Sequence, residues 1–225
     1  MFLKTRQLIG IAVALSISTY SQAIYVGSLT FSMPPASRMV TKYVINNNKA
    51  TRLYRVAAVP IDTPGPHENK IQPVDGQLLF SPRQITLQPG EGDFFKFFFN
   101  GPKDNTERYY RIAFEEIPLQ NRTNFSNNNG NVSIIPVIVI DTILVVRPRN
   151  VDFRWVYDRQ AGLFKNSGNT WFRLLIKPNC EATEDESDTW YMRPGDVLQK
   201  KRLETSANIF IIYDDRFIKV TDVCK

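Results

Sequence analysis

An all-β protein of two β-sandwich domains in tandem is what this sequence predicts, on three observations. Short runs of β-branched and aromatic residues end in Asn, Gly or Pro at intervals of about ten, the rhythm of an antiparallel sandwich. No segment sustains a helical period. At Arg147-Pro148-Arg149-Asn150 a proline stops one series of strands and a second series begins.

Residues 1–23 stand apart. Lys4 and Arg6 make a basic start, 8–17 is apolar, and Ser21-Gln22-Ala23 places small residues where a signal peptidase needs them. A secretory signal over 1–23 is expected, with cleavage after Ala23. The two domains then run over 24–147 and 148–225. Without Lys4 and Arg6 the formal charge falls from +6 to +4. A secreted chain with so mild a balance offers no case for nucleic acid.

In the first domain, strands are expected at 41–47, 51–59, 77–82, 84–90, 93–102 and 108–118. The loop QNRTNFSNNNGN (120–131) is polar and lacks apolar anchors. It leads into the longest strand, over 131–146. From Ile134 to Val146 the only polar side chains are Asp141 and Thr142. In the second domain, strands are expected at 151–158, 162–166, 170–178, 188–195, 208–215 and 216–223, with the acidic tract 181–188 as a loop.

Cys180 and Cys224 both lie in this smaller domain, and an even pair in an oxidising compartment usually bridges. Their spacing matches no zinc pattern. The acidic tract lacks the Gly and terminal Glu of an EF-hand loop, so no metal site is expected. No catalytic residues are expected either. His67, the only histidine, sits in the Pro/Gly loop TPGPHEN. Adjacent Glu115 and Glu116 on a strand point to opposite faces and cannot act together.

The long strand has two readings. It is a central strand buried on both faces, or its second half belongs to its own sheet and its first half is lent to another protein. An apolar edge is an aggregation liability, so retaining one implies a use. Pro136, which has no ladder donor, suits an edge.

RYYRIAFEEIPLQ (108–120), a loose polar loop, and an apolar strand ending in ILVVRP (143–148) together resemble a periplasmic pilus-assembly chaperone of the chaperone–usher pathway. QLLFSPRQITLQPGE (77–91), GLFKNSGNTWFRLLI (162–176) and YMRPGD (191–196) add to the resemblance. ERYYRI (107–112) and TILVV (142–146) look most like the alternate branch, common-pilus type. The resemblance implies two immunoglobulin-like domains, a periplasmic location, no cofactor and no enzymatic activity. Pilin or fimbrial subunits and an outer-membrane usher are its implied partners. The mechanism it implies is donor-strand complementation, the strand-addition mode in which a chaperone completes an unfinished subunit. Self-association of the free protein would cover the same strand.

Counting back from Arg147-Pro148 aligns the donor face with Ile134, Pro136, Ile138 and Ile140. Ile135, Val137, Val139 and Asp141 form the opposite face, and a bulge would exchange the two. Family members hold the subunit's terminal carboxylate with a basic pair. Here the aligned positions are Thr30 and Ile143, so a replacement is expected among Arg111, Arg108 and Arg38. Arg147 is expected either to pair with Asp196 across the domains, as the resemblance implies, or to sit solvated beside the linker. The rival reading is a secreted two-domain immunoglobulin-like adhesion or binding module whose long strand is simply core.

Overall fold

A computed structural model of the chain describes residues 24–65, 67–119, 137–205 and 208–222. Nine strands precede Arg147 among these residues: β1 (Ile24–Tyr25), β2 (Thr30–Met33), β3 (Met39–Asn46), β4 (Arg52–Ile61), β5 (Leu78–Ser81), β6 (Gln84–Leu87), β7 (Gly92–Phe99), β8 (Arg108–Pro118) and β9 (Ile138–Val146). Seven follow it: β10 (Trp155–Asp158), β11 (Leu163–Asn166), β12 (Phe172–Lys177), β13 (Asp188–Met192), β14 (Val197–Gln199), β15 (Asn208–Tyr213) and β16 (Arg216–Asp222). A single-turn helix, α1 (Lys201–Thr205), sits between β14 and β15 and buries only Leu203.

The first nine strands form two sheets, ordered β1-β3-β7-β5 and β2-β9-β8-β4-β6. Alternation explains both. In β7, Phe95, Phe97 and Phe99 are buried while Phe94, Lys96 and Phe98 face out. In β8, Tyr110, Ile112 and Phe114 point inward. The rings of Phe95 and Phe114 meet edge-on between the sheets, 5.7 Å apart. The last seven strands form a second sandwich, ordered β10-β11-β14 and β13-β12-β15-β16, around Phe164, Phe172, Leu174 and Ile209.

Each sandwich is closed at one turn by a buried asparagine. The Asn46 amide donates to Ala50 O and Leu87 O, both at 3.0 Å. The Asn166 amide donates to Thr170 O at 2.8 Å and Met192 O at 2.9 Å. The same chemistry thus locks the chain four residues on, and a second strand, in both halves.

The chain's start changes sheets. β1 pairs with β3, whereas β2 pairs in parallel with β9. Gly27, at φ +66°, lies in the crossing and takes a conformation that costs a glycine little. Buried Lys42 holds the crossing by donating to Ser28 O, with its amine 4.7 Å above the Phe31 ring. Burial lowers the pKa of this amine. As a result, β2 covers β9 only from Ile143 onward, and among the described residues no strand pairs with the far edge of its first half.

Candidate functional site

β9 has two unlike halves. From Ile143 to Val146 it is paired on both edges, with β8 on one side and β2 on the other, and buried on both faces. Leu144 and Val146 enter the sandwich core. Ile143 and Val145 pack with Ile61, Tyr109 and Trp171 on the outer face. From Ile138 to Thr142 it is paired with β8 alone. The Ile143 N–H donates to Leu29 O at 2.8 Å, away from β8. By alternation the N–H and C=O of Asp141 and Val139 point to that same side, where among the described residues no strand lies. Side chains here are exposed to match: 51% for Val137, 38% for Ile138 and 52% for Val139.

The expected donor residues fall as follows. Ile134 and Pro136 lie outside the described residues. Ile140 packs against the sandwich core opposite Phe114, and Ile138 is exposed on the same face, opposite Glu116. Val139 and Asp141 share the other face with Ile143.

The expected anchor residues are scattered. Arg111 lies opposite Ile143, which in turn lies opposite Thr30, so those three share one row. Its guanidinium is gripped by Glu68, with Nε to Oε1 at 3.0 Å. Arg108 is two-pronged on Asp104, at 2.8 and 2.6 Å, at the opposite end of β8's pairing with β9. That guanidinium drives the Asp104 pKa down to about 2. Arg38 is exposed in the turn before β3 and makes no ion pair among the described residues.

Arg147 corrects one expectation. Its partner is Asp214 at 2.8 Å, with Glu107 at 3.9 Å, while Asp196 binds Arg193 at 2.9 Å. Asp214 and Asp215 form the two-residue β15–β16 turn, with φ of 47° and 59°. That tight turn delivers Asp214 to Arg147 from the second sandwich, whereas Asp196 closes its own β13–β14 turn. Glu107 is buried and accepts from Tyr109 Oη (2.5 Å), Thr170 Oγ1 (2.7 Å) and Trp171 N–H (3.1 Å). Burial raises its pKa. The Arg147 guanidinium also stands 4.3 Å over the Tyr213 ring. The two sandwiches are thus joined through a charge network in which the Arg147 and Glu107 side chains are buried and Asp214 keeps solvent contact.

A cleft of about 600 Å³ opens beside this network, with Thr30, Phe31, Trp171, Arg173, Tyr191 and Asp215 among its walls. Sequence reasoning passed over Arg173. It pairs with Glu184 at 3.0 Å, and both side chains keep solvent contact. The signal was its alternation with buried Phe172 and Leu174 in β12, which turns it outward. Cys180 is not a free thiol, and Cys224 lies outside the described residues.

Two sandwiches in tandem thus meet at a charged cleft, and among the described residues one strand, β9, is half-paired. The chain is 53% identical over 213 residues to the "Probable fimbrial chaperone EcpE" of Escherichia coli, covering 95% of this chain and 90% of that one. It belongs to the fimbrial chaperone family, whose members are chaperones and not enzymes. Solved structures share the fold at low identity. The periplasmic chaperone SfaE superposes with a TM-score of 0.55 at 14% identity, over 90% of this chain and 100% of that one. The Escherichia coli chaperone DraB gives 0.54 at 17%, over 89% and 97%. No family model matches the chain.

Proposed function

We propose that this chaperone lends the first half of its long strand, 131–146, to an unfinished fimbrial subunit and passes that subunit to an outer-membrane usher. One observation carries the reading. β9 offers an unpaired edge at Val139 and Asp141 with exposed apolar side chains around it. Open N–H and C=O groups are a template for another strand, and alternate side chains fill the partner's pockets. Ile134, Pro136, Ile138 and Ile140 are the face lent.

Magnitudes say how much strand is needed. Val137, Ile138 and Val139 are roughly half-exposed, so burying the rest contributes on the order of 1 kcal/mol each. Association alone costs about 4–15 kcal/mol. The described residues fall short of this, which is why the apolar stretch from Ile134 belongs to the site.

The remaining parts follow the family. Residues 1–23 direct export to the periplasm and are removed. The domains are 24–147 and 148–225, the second closed by a Cys180–Cys224 bridge. A partner strand running along β9 stops where β2 begins, at Thr30. Arg111, on that row, is the best placed of the three anchor candidates and would exchange Glu68 for the subunit's terminal carboxylate. In the free protein, self-association would cover the same edge.

The test is co-purification. The tagged chaperone is expressed in the periplasm with its fimbrial subunits, and proteins recovered at one-to-one ratio are identified. Ile138→Asp is expected to lose the subunit while keeping its own fold, because the exposed side chain holds nothing together. Normal recovery by Ile138→Asp would refute the lent face.

A further inference from the structure

Asp141 is the one charged side chain of β9, a strand otherwise apolar but for Thr142. It is exposed and makes no ion pair among the described residues. The charges in the two flanking rows are matched. One row up, Glu115 accepts from Arg55 at 2.7 Å, and one row down Arg111 is held by Glu68. In the row of Asp141, β8 and β4 contribute only Ala113 and Ala57. These small residues leave a hollow of about 500 Å³ beside the carboxylate, with Lys70 also on its rim. On the other side of Asp141 lies the open strand edge.

Geometry fixes what a partner strand would do there. A residue paired opposite Asp141 projects its side chain to the same face, within reach of the carboxylate. We infer that the subunit strand pairing with β9 carries a lysine or arginine opposite Asp141, and that this charge pair sets the register and helps choose the subunit. The inference rests on the strand-lending reading above and adds the partner's chemistry to it. A neighbouring acidic side chain would meet an unmatched carboxylate directly, whereas Lys70 is bridged to Ile61, off the row of Asp141. The hollow gives a long basic side chain room to turn. A competing role for Asp141 is simply to keep a free edge from pairing with other edges.

The experiment uses the full chaperone co-expressed with the fimbrial subunit that wild type recovers. Asp141→Asn and Asp141→Lys are compared with wild type, alone and against subunits in which each Lys or Arg of the pairing strand is changed to Glu. Lysine guards an edge as well as aspartate does, so Asp141→Lys stays soluble under either role. The inference expects a loss of about two- to fivefold for Asp141→Asn and a greater loss for Asp141→Lys. One subunit Glu variant should restore binding to Asp141→Lys while weakening wild type. The wild-type complex should also lose more affinity than the Asn complex between ~0.05 and ~0.5 M salt. Equal binding by all three chaperones, or loss in Asp141→Lys that no subunit Glu variant restores, overturns the inference. If wild type recovers no subunit at all, strand lending itself fails and the inference with it. That outcome differs from one in which Ile138→Asp alone loses the subunit.

Discussion

At the residue scale, charges held in pairs by the fold contrast with Asp141 of β9, which faces outward. Arg108, Arg111 and Arg147 each have a carboxylate partner. Asp104 shows the consequence. Its folded pKa of about 2 lies below the ordinary 3.8, so its stabilising contribution is complete above the ordinary value. That contribution is lost as pH falls from about 4 toward 2. Acid titration of unfolding should therefore show a shallower slope in Asp104→Asn than in wild type across that window. Because Asp104 is well exposed, solvent screens the pair and the difference will be modest. Equal slopes would mean that the Arg108 pair contributes nothing to folding.

At the element scale, strands with period-two alternation were readable, because one face of each is buried. β3, β4, β7, β8 and β12 lie within a few residues of where alternation puts them. β1, β2 and β14 were not, since strands of two to four residues are held by tertiary pairing and carry little pattern of their own. α1 escaped for the same reason, being a single turn around Leu203. The half-buried character of β9 was half legible. Its composition announced a long apolar strand, but the point where β2 stops covering it depends on the Gly27 crossing and on Lys42, far away in sequence. The partner of Arg147 was missed, although Asp214-Asp215 between two apolar runs is a hairpin signal. The paired asparagines are also element-scale devices. Asn166→Ala strands two buried carbonyls and should cost about 2–4 kcal/mol, read from denaturant unfolding of the second sandwich. A change under about 0.5 kcal/mol, the scale of an ordinary surface substitution, would show that the turn is held otherwise.

At the scale of the whole molecule, the two sandwiches are stabilised separately and meet at a buried network. Glu107 and Arg147 come from the first series of strands and its linker, whereas Thr170, Trp171 and Asp214 come from the second. Breaking a buried charge pair leaves an uncompensated ion, which makes such a junction resist hinge motion. Arg149 adds to it by donating to Pro35 O at 2.5 Å and to Ser37 O. Thr30 both lines the cleft and pairs with Ile143, so a partner strand along β9 would end at the cleft. Among the described residues, β9 combines a fully paired second half with a first half open along one edge.

Strand lending requires β9 to be unpaired toward its start until a subunit arrives. Amide hydrogen exchange at Val139 and Asp141 tests it most directly, in the isolated chaperone and in the co-purified complex. Fast exchange when free and strong protection in the complex, with Ile143 to Val146 protected in both, is the predicted result. Strong protection of Val139 and Asp141 in the isolated monomer would show the strand closed within its own sheet and rule out strand lending.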